Sequence, residues 1–209
     1  MVAMEHERQV DAIAALMAAL PPAPGLGPIA ERVRGRGLPI LASDHARLLA
    51  FLAGERGTAR VLVTGRSAGH AAACVAHVAP DARILIATPG GGDEALISAV
   101  GAPDRVRIVA GGATEGFVGG EQAFDLIHVD EDVVGYRRLL DLALTHTAVR
   151  GCLLWHGLPA AGPEAEAAQA FCGYLLMHPQ TQATVLAVGD GLALARKSQE
   201  LVTDLGGPY

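Results

Sequence analysis

The chain of 209 residues contains a single lysine, Lys197, and no asparagine. The second absence removes any site built on an Asn metal ligand or an Asn oxyanion donor. The first confines Schiff-base and lysine general-base chemistry to Lys197. Cysteine is scarce too: Cys74, Cys152 and Cys172 stand far apart in apolar surroundings, without the short spacings of a metal site or a disulfide framework. They read as small core residues of a protein kept in a reducing compartment. No segment approaches the ~18 consecutive apolar residues of a membrane span. Nor is there a basic stripe: 16 Lys and Arg stand against 22 Asp and Glu, and only Arg32, Arg34 and Arg36 gather. Phosphate backbones need a basic surface, so nucleic acid is not an expected partner.

What is present describes an ordinary globular chain, 51% hydrophobic and 18% charged. The apolar stretch from Ala12 to Leu20 follows Glu5, His6, Glu7, Arg8 and Asp11, whereas a secretory leader would begin with a basic region. Val10, Ile13, Leu16, Met17 and Leu20 recur at helical spacing, which predicts an amphipathic helix over about 5–20 and a protein of the cytoplasm. Pro21, Pro22 and Pro24 end that helix, and a second short helix closes near Gly35 to Gly37. A third has Ser43 as its expected N-cap, Leu48, Leu49 and Leu52 as its apolar stripe, and Gly54 as its stop.

The pattern then changes. Short apolar runs at 60–64, 83–87, 106–109, 125–129 and 152–155 alternate with helical segments at about 69–78, 93–100, 136–146 and 164–177. Near-continuous apolarity bounded by Gly and Pro is what a parallel strand buried on both faces requires. Strand and helix alternating in this way predict right-handed crossovers and a doubly wound α/β sheet. The chain closes on runs at 184–188 and 192–195 around Gly189-Asp190-Gly191, an antiparallel hairpin. The whole reads as one domain: a helical extension over 1–37, a Rossmann-like core over 38–197 and a tail over 198–209.

Two constellations carry chemistry. The first strand runs into Gly65-Arg66-Ser67-Ala68-Gly69, a turn at which glycine lets the backbone approach a ligand or simply permits tight packing. The second strand ends at Thr88, where a nucleoside-binding sheet usually presents a carboxylate to the ribose hydroxyls. Further along, His128 and Asp130 fall on one face of the fourth strand, with Glu131 and Asp132 beyond its end, and the fifth strand ends at His156. Two imidazoles and a carboxylate on adjacent strand tips bind a divalent cation or pair as base and orienting acid. Alternatively, His128 lies deeper, as a hydrogen-bonded core residue.

These residues resemble a family. Phe124-Asp125-Leu126-Ile127-His128-Val129-Asp130 followed by Tyr136, and the closing stretch Val188 to Lys197, are similar to the motifs of bacterial class I S-adenosylmethionine-dependent O-methyltransferases of the catechol and caffeoyl-CoA type. Leu38-Pro39-Ile40 leading into Leu48-Leu49, and Gly101 through Asp104-Arg105-Val106, match in the same order. The resemblance spans about Val10 to Lys197. It implies seven strands in the order 3-2-1-4-5-7-6, a homodimer, a small-molecule acceptor, and S-adenosylmethionine held by Gly65, Arg66, Gly69, Thr88 and the backbone of Ala113. It also implies a magnesium ion ligated by an aspartate, which falls on Asp130, and by an Asp-Asn pair.

The departures are correlated. The Asp-Asn pair falls on His156 and Gly157, the acceptor-deprotonating lysine on Val133, the first-strand glutamate on Val63 and the ribose acid on Thr88. The middle glycine of the cofactor loop falls on Ser67 or Ala68, and the adenine-framing Gly-Asp-Ala becomes Gly111-Gly112-Ala113. A metal rebuilt on Asp130 and His156 would be a softer ion than magnesium. Two functional readings follow: an O-methyltransferase of a small molecule with Asp130 or His156 as base, or a methyltransferase-like protein without that activity, serving as subunit, scaffold or binder of another ligand.

Overall fold

A computed structural model describes residues 23–55, 59–89, 94–120, 123–188 and 190–198. The expected helix over 5–20, its proline break, most of the tail beyond residue 197 and Gly189 of the hairpin turn lie outside them. Seven strands form one sheet in the order β3-β2-β1-β4-β5-β7-β6, as the resemblance implied. They are β1 (Arg60–Gly65), β2 (Arg83–Thr88), β3 (Val106–Ala110), β4 (Phe124–Asp130), β5 (Thr147–His156), β6 (Thr181–Leu186) and β7 (Leu192–Lys197). The first five run parallel, and β7 pairs antiparallel with both β5 and β6.

Alternation along the strands divides the core. Val61, Val63, Ile84, Ile86, Leu126 and Leu154 face helices α1 (Leu26–Arg34), α2 (Ser43–Glu55), α3 (Ala68–Val78) and α4 (Glu94–Val100). Leu62, Leu85, Ile127, Val129, Leu153 and Trp155 face α5 (Ala113–Gly119), α6 (Tyr136–His146) and α7 (Ala165–Met177). Helix α3 is buried from Ala68 through Ala76, and its small residues let α1, α2 and α4 all close on it. On the other face Tyr136, Trp155 and Phe171 form an aromatic triangle with ring centroids 5.1–5.3 Å apart, fastening β5 to α6 and α7.

The structure corrects several expected boundaries. Ser43 is the first helical residue rather than the cap, because the carbonyl of Ala42 accepts the first helical N–H, from Ala46 at 2.9 Å. Strand β5 begins five residues before its apolar run, through an irregular stretch with Arg150 at φ 67° and a register shift against β4. Strand β6 lies three residues earlier than expected; as the sheet edge it keeps one neighbour and alternates in exposure, so no continuous apolar run marks it. Helix α5 was not expected, since seven residues with two glycines carry little helical period.

Lys197 is structural. It is buried at the end of β7, where Nζ donates to the carbonyls of Leu144 (2.7 Å) and Thr147 (2.9 Å), closing the last turn of α6.

Candidate active site

The parallel strands end together at Gly65, Thr88 and Asp130, on the floor of a cleft of about 1300 Å³. Chain order reverses between β1 and β4, so the cleft opens at the topological switch point, where doubly wound sheets bind ligands. Gly65 adopts φ +86°, and a Cβ there would stand 1.7 Å from the carbonyl oxygen of Asp130. Only glycine fits, and the two strand tips are in backbone contact. Arg66 N–H donates to that same carbonyl at 3.2 Å.

The turn after β1 then clasps the Asp130 side chain. Ser67 donates to Oδ2 twice, from its backbone N–H (2.8 Å) and its hydroxyl (2.5 Å). The other oxygen, Oδ1, lies 3.2 Å from His156 Nδ1 and 3.6 Å from the exposed guanidinium of Arg66. Burial alone would raise the Asp130 carboxyl, but His156 and the hydrogen bonds from Ser67 outweigh it and hold the group below the usual carboxylate range. Asp130 is therefore held as an anion, its Oδ2 bonded to Ser67 and its Oδ1 facing His156 and Arg66 without an aligned hydrogen bond.

Beneath His156 lies an imidazole cluster. His45, from α2, packs its ring 4.5 Å from His156 and 5.0 Å from His128, and its Nε2 meets His128 Nε2 at 3.2 Å. Burial, then repulsion from His128 and His156, pushes His45 down to about 2. Burial likewise takes His128 to about 4, against the raising effect of Asp130. His70, on α3, is also lowered to about 4 by burial; its Nδ1 accepts from Leu41 N–H at 2.9 Å. His128 shares a face with Asp130, as its spacing implied, but it is wholly buried and turned to His45 rather than to the cleft. Sequence reasoning missed His45, although Leu48, Leu49 and Leu52 stand three, four and seven positions beyond it and mark it as part of the buried stripe.

The remaining expected residues divide. Gly65, Arg66 and Thr88 line the cleft with Asp130. Gly69 faces away from it: a Cβ there would meet the side chain of Leu96 at 2.5 Å, so α4 packs against this glycine. Ala113 is buried, and its N–H donates to Glu131 Oε1 at 2.5 Å. Tyr136 fixes the loop after β4, its hydroxyl sharing one proton between the carbonyls of Glu131 and His156 and accepting from Glu131 N–H.

The magnesium ion implied by the resemblance does not fit these residues. A hard cation takes several oxygen ligands, while Asp130 is shared between a serine, an imidazole and a guanidinium. Among the described residues no group of three or more His, Cys, Asp or Glu is arranged to hold a metal ion. What the arrangement does support is a histidine facing a buried carboxylate: His156 Nδ1 stands 3.2 Å from Asp130 Oδ1, and a proton carried on Nδ1 leaves Nε2 its lone pair.

No family model matches the chain, and no curated protein matches it. Solved structures do. A Podospora anserina methyltransferase bound to S-adenosylhomocysteine (SAH) superposes with a TM-score of 0.71 at 20% identity, over 92% of this chain and 97% of that one. An O-methyltransferase from Bacillus cereus in complex with SAH gives 0.69 at 16%, over 86% and 93%. An O-methyltransferase from Streptomyces achromogenes in complex with S-adenosylmethionine, involved in tomaymycin synthesis, gives 0.67 at 19%, over 87% and 92%. At these identities the likeness establishes a shared fold across nearly the whole chain.

Proposed function

We propose that the protein is an S-adenosylmethionine-dependent O-methyltransferase acting on a small molecule without a metal ion. The observation that carries this reading is the Asp130–His156 pair beside the Gly65 turn, at the switch point of a sheet shared with cofactor-bound methyltransferases. The cofactor fits the residues present: Gly65, Arg66 and Gly112 line the cleft beside Asp130, and Thr88 offers one hydroxyl where a ribose would lie.

When bound, S-adenosylmethionine supplies an electrophilic methyl group. The chain's own part is to position the acceptor and take its proton. His156 Nε2 receives the proton of the acceptor hydroxyl, and Asp130, already ionised and held by Ser67, stabilises the imidazolium that results. Among the described residues no group grips two adjacent oxygens as a metal does, which favours an acceptor with a single hydroxyl or phenol over a vicinal diol. Placement of donor and acceptor in line supplies much of the rate.

The test is calorimetric titration with SAH, followed by methyl transfer to monophenols and to catechols with and without EDTA. Binding, with transfer indifferent to EDTA, is the expected result. No binding at millimolar ligand would leave a methyltransferase-like fold without the activity, acting as subunit, scaffold or binder of another ligand. The same reading takes residues 1–209 as one methyltransferase-like domain of the cytoplasm, without membrane or nucleic-acid partners. No helix among the described residues is long and apolar enough to cross a membrane. The apolar stripe Val10, Ile13, Leu16, Met17 and Leu20 supports pairing of two copies, which sedimentation velocity tests.

A further inference from the structure

The sheet has a second hollow, of about 590 Å³, at the end away from the cleft. Arg60 and Arg83 open β1 and β2 there, while Arg105 stands just before β3 and Arg107 is its second residue. Asp81 and Asp104 also line it, so a chain of net charge −6 gathers an excess of positive charge here. Arg60 and Arg83 are partners in the parallel register, which puts both side chains on one face, about 5 Å apart at their bases. Neither has a carboxylate at ion-pair distance among the described residues, and Arg60 Nε is buried without a hydrogen-bond partner. Arg105 is fixed, its guanidinium donating to the carbonyls of Ala76 (3.4 Å), Ala79 (3.2 Å) and Ala82 (3.1 Å). Those carbonyls hold its position without neutralising its charge. Leu85 and Phe124 supply an apolar floor.

We propose that this hollow binds the phosphate group of a small phosphomonoester, gripped by Arg60 and Arg83. Two guanidinium forks side by side suit the oxygens of a tetrahedral dianion, because each fork can give two parallel hydrogen bonds. Arg105 adds a fixed positive charge, and Leu85 and Phe124 meet the organic part of the ligand. Asp81 and Asp104 limit the negative charge that the hollow accepts, which suits a single phosphate and repels a polyphosphate or a nucleic-acid backbone. Without an anion, Arg60 and Arg83 repel each other and the buried Nε goes unpaired; a bound phosphate removes both penalties. The site lies about 17 Å from Gly65 along β1 and does not depend on the cofactor reading above.

The experiment titrates phenyl phosphate and inorganic phosphate, at constant ionic strength, into wild type, Arg60→Gln, Arg83→Gln and Arg66→Gln. Calorimetry and the rise in melting temperature both read binding, and Arg66→Gln controls for an anion held in the cleft. Wild type is expected to bind phenyl phosphate more tightly than inorganic phosphate. Arg60→Gln and Arg83→Gln should each weaken that binding by about 10-fold or more, since each removes charge-assisted hydrogen bonds, while Arg66→Gln leaves it unchanged. Ligand-free Arg83→Gln should melt no lower than wild type, because a repulsion has been removed, and this separates lost binding from a lost fold. Absence of binding to wild type overturns the inference, as does affinity that survives in both hollow variants or falls only in Arg66→Gln. Tighter binding of inorganic phosphate than of phenyl phosphate overturns the assignment to a monoester.

Discussion

The carbonyl oxygen of Asp130 stands where a side chain at Gly65 would begin, 1.7 Å from the Cβ position. This contact joins the tips of β1 and β4 and brings the Ser67 donors onto the Asp130 carboxylate. Gly65→Ala must break it, and at φ +86° alanine is strained as well. The variant is expected to lose about 3 kcal/mol of stability in urea titrations. SAH affinity should fall with it. A variant as stable as wild type would show that the tips separate freely.

Asp130→Asn tests orientation against binding. Asparagine keeps an oxygen for Ser67 but removes the charge that favours the His156 imidazolium. Turnover should fall by about 100-fold or more, while SAH affinity changes by less than about threefold. Equal losses in both would place Asp130 in ground-state binding instead.

The buried histidines predict an acid-labile fold. His70 and His128 are lowered to about 4 and His45 to about 2, against 6.5 in an unfolded chain. Lowered values mean that the unfolded chain binds more protons, so stability is complete above pH 6.5 and is lost as pH falls from there toward 4. Each histidine withdraws about 2 kcal/mol between pH 7.5 and pH 5. Denaturant titrations across this range should show the slope, corresponding to uptake of about three protons on unfolding near pH 5. Asp130, lowered from 3.8, adds its own loss only at more acid pH. A flat profile from pH 7 to pH 5 would mean that these rings take up protons in the native protein as readily as in the unfolded chain.

Lys197→Met removes the donor shared by the carbonyls of Leu144 and Thr147 and leaves both buried without it. A loss of about 2–3 kcal/mol is expected, read from the thermal midpoint and from denaturant titration. Methyl transfer well below the midpoint should be unchanged, because Lys197 lies at the end of the sheet away from the cleft.

The architecture was legible where burial imposed a period. Strands such as Val61 to Thr64 and Ile84 to Ala87 are apolar because they are covered on both faces, and the strand order followed from motif resemblance. Edge strand β6 and the entry to β5 were not legible, since exposure and a local irregularity erase the period there. The site was legible at Asp130, His156 and Gly65, which occupy strand ends. His45 and Ser67 escaped notice for different reasons. His45 reaches the cluster from a helix 83 residues before His128, and contact at that separation is set by packing. Ser67 looked like a missing glycine, and its two donors gain meaning only once Asp130 is seen beside it. Glu131, beyond the end of β4, carries no mark in the sequence of the contact its side chain makes with Gly112.

The hydrogen bonds of Lys197 also have a consequence for labelling chemistry. Apart from the α-amino group, the chain has one amine, and that amine is buried beneath the α6–β5 junction. Amine-selective acylation of the native protein is therefore slow at every side chain. The rate at which Lys197 is acylated measures how often β7 parts from α6, so a mass spectrum taken over time becomes a clock for the opening of the sheet.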